Sequence, residues 1–301
     1  MTVNADTMKP NKSIHAHLLS NKDEFTDEFF QQFNLRSAEH PLQLNETISK
    51  DYLFPTFYGD ATCSIGVFLC DYQKAQAMLP HDKMKPVAMP RGRALVTFSC
   101  YEYKRVLGVN PYNEIAMTIP VMINPKINIP VLPMLLERYF NNFGYYVFHM
   151  PVTSLENQIR GQKIWGLPKV VDEIDITVDN RIAKTVAIDQ SGNDYFSLSV
   201  PTEGTNTAFN VRSNLYSQLG NQLKQSTTQF SASFNVNKYI DRLWKTNRDD
   251  PQVLTLGKGP YGDMLRKLDI DPNPFQFRYS QKMNACFDLP NEDYKAPFSF
   301  T

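Results

Sequence analysis

Between Tyr52 and Val200 the chain is a succession of short β-rich runs, among them SIGVFLC, RALVTFSCYEY, NEIAMTIPVMI, GYYVFHMPV, DEIDITVD and AKTVAID, separated by Pro, Gly and Asn. β-branched and aromatic residues in runs of this length, bounded by residues that break or turn the chain, predict a predominantly antiparallel sheet or barrel. Helical patterns interrupt the series at residues 71–78 and 132–140, where apolar positions recur every three or four residues. These are too few for a repeating βαβ series and are expected to cover the sheet. From Met1 to about Asn45 the sequence is polar, with Phe25, Phe29, Phe30 and Phe33 near helical spacing. The expected organisation is therefore an N-terminal helical arm over residues 1–50 and one β-rich domain over residues 51–301. After Pro201, a stretch rich in Asn, Gln, Ser and Thr predicts a long excursion or a sheet edge. No repeat of solenoid period is present.

Composition narrows the function. Thirty-one Lys and Arg against 31 Asp and Glu give no net charge, so no basic field exists to gather phosphates, and nucleic acid is not an expected partner. Cys63, Cys70, Cys100 and Cys286 lie far apart without a Cys-x-x-Cys pair, which fits neither a disulfide framework nor a zinc site. The first 25 residues lack the apolar block of a signal peptide, and their acidic residues do not fit a transit peptide. Residues 119–136 are the most apolar stretch, but four prolines and Lys126 interrupt them, so no regular membrane helix is expected. The expected location is the cytosol.

Three motif readings fall away. Gly257-Lys258-Gly259-Pro260-Tyr261-Gly262 fits a dinucleotide-binding pattern, but Pro260 removes a backbone N–H near the phosphate position and no strand with a terminal acid follows at the required distance. A Gly/Pro turn before a short helix is the expected structure. The five histidines do not have metal-ligand spacing: His15 and His17 are neighbours in the arm, and His149 lies in a strand, in the core or on a pocket wall. No metal is expected. No Gly-x-Ser-x-Gly elbow or thiol-nucleophile signature is present.

Two segments carry chemistry. In the run from Arg160 to Val170, Lys169 follows Leu167-Pro168 and precedes two valines, an amine in apolar surroundings. Burial there disfavours the ammonium form and exposes a free amine able to form an imine with a carbonyl, whereas a lysine between a turn and a strand also suits a surface position with its head in water. Upstream, Pro111-Tyr112-Asn113-Glu114 leads into the apolar IAMTIPVMI. A carboxyl at the start of a buried strand can shuttle protons, or can remain solvated.

Taken together, Tyr112-Asn113-Glu114, the Ile119-Pro120-Val121 that ends the same strand, and the segment from Gly161 through Trp165-Gly166-Leu167-Pro168-Lys169 resemble the acetoacetate decarboxylase family. The likeness is clear from about Ser64 to Val200 and fainter in the C-terminal third. It implies an α+β fold, mainly antiparallel, with a cone-like β-barrel and peripheral helices. It also implies that Lys169 forms an imine with a carbonyl substrate and that Glu114 positions substrate or manages protons. No cofactor is implied. Tyr112, Trp165 and Leu167 are the expected substrate-binding neighbours, and the resemblance makes self-association an expectation. The sequence departs from the family at three points: Val170 stands where a second lysine follows the first, Leu69 where an arginine grips the substrate carboxylate, and Ser99 on or near the position of a further glutamate. Leu69 and Ser99 are thus expected to line a pocket for a larger or less charged carbonyl compound, with Arg91, Arg93 and Arg160 as candidate anchors. The resulting expectation is a Schiff-base lyase that decarboxylates a β-keto acid or transforms a related carbonyl compound. An aldolase or dehydratase using the same lysine, or a barrel that binds without turnover, are the alternatives.

Overall fold

A computed structural model of the chain describes residues 8–14, 21–136, 139–245 and 252–298. His15 and His17 lie outside the described residues. The longer strands, in chain order, are β1 (Thr56–Asp71), β2 (Arg93–Tyr103), β3 (Tyr112–Ile123), β4 (Phe143–Val152), β5 (Lys169–Val171) and β6 (Glu173–Asp179). They continue with β7 (Ile182–Ile188), β8 (Asp194–Pro201), β9 (Thr205–Leu219), β10 (Gln222–Lys238), β11 (Leu254–Leu256) and β12 (Pro274–Pro290). Three helices matter for the site's surroundings: α1 (Tyr72–Ala77), capped by the Asp71 side chain, α2 (Leu155–Arg160), and α3 (Pro260–Arg266).

Seven strands close into a barrel in the order β4, β9, β10, β12, β1, β2, β3 and back to β4. Every pairing around this circuit is antiparallel except the short β4–β9 joint, where Tyr145 and Tyr146 lie beside Leu215 and Tyr216. Closure removes the exposed edges that an open sheet of long strands would present. The polar stretch after Pro201 is neither an excursion nor an edge: it forms the β9–β10 hairpin, which supplies two barrel walls. Its many Asn, Gln, Ser and Thr residues alternate with Phe209, Leu215, Phe230 and Phe234, which pack into the interior core. Lys169 opens β5, which adds to β4 in parallel outside the closed circuit.

A second sheet, ordered β6, β7, β8 and β11, packs on the barrel's outer surface. This cover explains why β3 is buried on both faces. Ile115, Met117 and Ile119 face outward into a core shared with Ile174, Phe196 and Leu198, while Tyr112 and Ala116 belong to the interior core. Strand alternation then places Glu114 on the interior face. His149, at a register shift in β4, joins the outer core against Tyr261 and Tyr195, with ring centroids 4.3 and 6.2 Å away. Burial pushes its pKa down to about 4, so it stays neutral. The Gly257–Gly262 run is a turn into α3, as its Gly and Pro content predicts.

Among its described residues the N-terminal region contains less helix than the phenylalanine spacing predicts, namely a 3-10 turn at Lys22–Glu24 and a single turn at Glu28–Gln31. Those phenylalanines instead form an aromatic cluster on the barrel, with Phe25 and Phe30 5.7 and 4.9 Å from Phe57. The segment is also tied down by a buried ion pair. Lys50 Nζ donates to Glu156 Oε1 of α2 at 2.6 Å, and the Tyr52 hydroxyl donates to the same oxygen at 2.7 Å. Removing one partner of such a pair strands a buried charge, which costs far more than the intact pair contributes. Lys50→Met should therefore lower the unfolding free energy in a denaturant titration by about 3–5 kcal/mol, and Lys50→Met combined with Glu156→Gln should recover a substantial part of it.

Candidate active site

The motif before Lys169 is a device for returning the chain into the barrel. Helix α2, capped by Ser154, runs into a π-helical turn at Gly161–Trp165 and stops at Gly166, whose φ of 66° lies in the left-handed region that glycine tolerates. A side chain at Gly166 would also strike the backbone of Gln218. Leu167-Pro168 then lead into β5, where Lys169 lies opposite Met150 of β4. The Lys169 carbonyl accepts from the side-chain amides of Gln162 at 2.8 Å and Gln158 at 3.3 Å, which holds the backbone of the lysine from the helical side.

Glu114 reaches the same point from the other flank of β4, with Val152 of β4 and Tyr101 of β2 as its register neighbours. The two side chains meet in the interior: Lys169 Nζ donates to Glu114 Oε2 at 2.5 Å, with both side chains less than a tenth exposed. The Tyr103 hydroxyl donates to the other carboxylate oxygen at 3.4 Å. Desolvation dominates at the amine and holds the Lys169 pKa below its ordinary value. The Glu114 carboxylate opposes that shift, and the guanidinium of Arg160 reinforces it.

Arg160, a candidate anchor by sequence, has a different place in the structure. It is fully buried, with Nη2 donating to Thr56 Oγ1 at 2.9 Å and Nη1 to Asn157 Oδ1 at 3.2 Å, and its guanidinium stands 4.3 Å from the Tyr52 ring centroid. It therefore supplies a like charge near Lys169 in a chain whose next residue is Val170. Arg160 is not an anchor on the cavity wall. Arg91 and Arg93 are elsewhere, in a polar pocket with Asp269 and Asp271.

Lys169 and Glu114 line a cavity of about 120 Å³, together with Leu167 and aromatic residues that include Tyr58, Tyr101, Tyr103, Phe230, Phe234 and Phe287. Four other expected substrate-binding residues fall off this wall. Trp165 stacks on Phe287 at 4.9 Å and donates its indole N–H to the Asp288 carbonyl, so it backs the wall without forming it. Tyr112 sits with its ring centroid 5.7 Å from Lys169 Nζ and packs on Tyr103. Ser99 lies one step beyond Tyr101 on the same strand face, between the wall residues Ile65 and Ala116, but is not itself among the lining residues. Leu69 is four residues, about 13 Å, along β1 from the wall residue Ile65, and instead borders the polar pocket of Arg91 and Arg93. The tyrosines were legible in one respect: Ser99, Tyr101 and Tyr103 share a face by simple alternation. Phe230 and Phe234 carried no comparable signal, because they are embedded in the polar hairpin.

Among the described residues, no group of three or more His, Cys, Asp or Glu side chains is placed to hold a metal ion, and all four cysteines are free and buried. No helix among them is long and apolar enough to cross a membrane.

The family model described as acetoacetate decarboxylase (ADC) matches residues 39–260. No curated protein matches the chain in sequence. Among solved structures, acetoacetate decarboxylase from Legionella pneumophila is 13% identical, with a TM-score of 0.55 over 82% of this chain and 88% of that one. The enduracididine biosynthesis enzyme MppR, in complex with pyruvate, is 11% identical, with a TM-score of 0.54 over 83% of this chain and 96% of that one. At such identities the structural likeness is one of fold.

Gly161 offers a direct test of the geometry. A Cβ there would lie 2.7 Å from Lys169 Cε and closer still to Cδ, so the flexible lysine must give way. Gly161→Ala should lower the thermal unfolding midpoint, because the displaced methylenes belong to a buried lysine paired with Glu114. The same substitution should slow reductive trapping of a carbonyl compound at Lys169 by about 100-fold, because misplacing a reacting group by about 1 Å carries a penalty of that order.

Proposed function

The chain belongs to the acetoacetate decarboxylase family, and from that membership we propose that it is a Schiff-base-forming carbon–carbon lyase acting on a β-keto acid or a related carbonyl compound. The observation that carries the reading is the buried Lys169 amine, 2.5 Å from the Glu114 carboxylate on the wall of a largely apolar cavity.

The chemistry follows from what each group can do. The neutral amine of Lys169 adds to the substrate carbonyl, and the carbinolamine loses water to give an iminium. Glu114, within hydrogen-bond reach of that nitrogen, gives and takes the protons this exchange requires. The iminium then accepts the electron pair of the carbon–carbon bond one carbon removed from it, so carbon dioxide or a second carbonyl compound departs and an enamine remains. Protonation of the enamine at carbon and hydrolysis of the imine release the product and restore the amine. The iminium is the electron sink, so the sequence of steps calls on no cofactor. The low polarity of the wall disfavours the charged form of the amine, and the aromatic side chains exclude water from the reacting atoms.

Incubation with a panel of ketones and keto acids under borohydride, followed by peptide mapping, should add the mass of the reduced imine at Lys169. Lys169→Ala should lose that adduct and all turnover while retaining its fold. An unchanged rate in that variant would contradict the mechanism.

A further inference from the structure

The cavity wall carries one basic and one acidic side chain among the described residues, the Lys169 amine and the Glu114 carboxylate, and these already face one another at 2.5 Å. The described wall includes no arginine and no second lysine. The nearest buried guanidinium, that of Arg160, is engaged by Thr56 and Asn157 and lies off the wall, and Arg91 and Arg93 line a separate pocket. Once Lys169 has become an iminium, its single positive charge is balanced by Glu114. A substrate carboxylate brought into the same cavity would be a third, uncompensated charge, desolvated by aromatic walls and repelled by Glu114. Size sets a second limit, because about 120 Å³ is of the same order as an engineered apolar cavity of about 150 Å³ that accepts benzene.

From this arrangement, and resting on the Schiff-base reading above, we propose that the cavity selects an uncharged ketone or aldehyde with a compact apolar body, in preference to a keto acid. The bond that breaks or forms is then of aldol type. In the cleavage direction a β-hydroxy ketone loses its hydroxyl proton to Glu114, and the electron pair of the bond between its α and β carbons passes to the iminium. A neutral aldehyde or ketone leaves, and the enamine is protonated and hydrolysed as before. The carboxylate of Glu114 is suited to this step, which needs a base, whereas loss of carbon dioxide needs none.

The test uses the full chain and a matched pair of probes, pentan-2-one and 4-oxopentanoate, which share a methyl ketone and a five-carbon chain and differ by one carboxylate. Each is trapped with borohydride at neutral pH and equal concentration, and the adduct at Lys169 is quantified by peptide mass. The expected result is at least about tenfold more adduct with the ketone. Glu114→Gln, which removes the opposing carboxylate, should narrow that ratio. Equal or greater trapping with 4-oxopentanoate would overturn the inference and leave the Schiff-base reading standing. No adduct with either probe would overturn both.

Discussion

An amine and a carboxylate in contact inside a barrel, at 2.5 Å and largely shut off from water, are the interaction to which the rest of this structure is fitted. Two charges in such a place are expensive, and a buried pair contributes little to stability over apolar packing of the same volume. The arrangement makes sense as chemistry. Desolvation holds the Lys169 pKa below its usual value, Glu114 limits how far it falls, and Arg160 pushes in the same direction as burial. The balance of these three influences keeps a nucleophile available without leaving an isolated charge in an apolar cavity.

Each supporting element can be traced to the same requirement. Barrel closure puts Glu114 on β3 and Lys169 on β5 within reach across the two sides of β4. The π-helical turn and the left-handed Gly166 return the chain so that Lys169 points inward, and Gly161 leaves room for its methylenes. Helix α2 is in turn held by Lys50 and Tyr52 through Glu156, while Arg160 is fixed against Thr56 and the Tyr52 ring. The N-terminal segment is thus part of the support of the site, because its buried cation balances the carboxylate on the helix that leads to Lys169.

Much of this was legible in the sequence. The β-rich runs announce the barrel, and the two motif segments point to Lys169 and Glu114. Local patterns could not reveal which other residues reach the cavity. Leu69 shares its strand face with the wall residue Ile65 but sits too far along it, and Trp165 was a natural guess that turned out to pack behind Phe287. Arg160, a candidate anchor by sequence, is instead buried off the cavity wall, because its partners Thr56 and Tyr52 come from about a hundred residues away in the chain. The hairpin from Thr205 to Lys238 was misread for a related reason. Its polar residues are tolerated on a barrel wall by strand alternation, so composition alone concealed the inward-facing Phe230 and Phe234.

The central claim is that the site holds the Lys169 amine below its ordinary pKa, and direct titration of its Nζ by NMR on lysine-labelled protein, assigned by comparison with Lys169→Ala, tests it most directly. An amine whose charged form is disfavoured by folding must lose its proton at lower pH than an ordinary lysine, and imine formation must rise with pH through that same midpoint. A midpoint clearly below those of the other lysines is the predicted result. A Lys169 that titrates with the exposed lysines would contradict the assignment of this residue as the nucleophile.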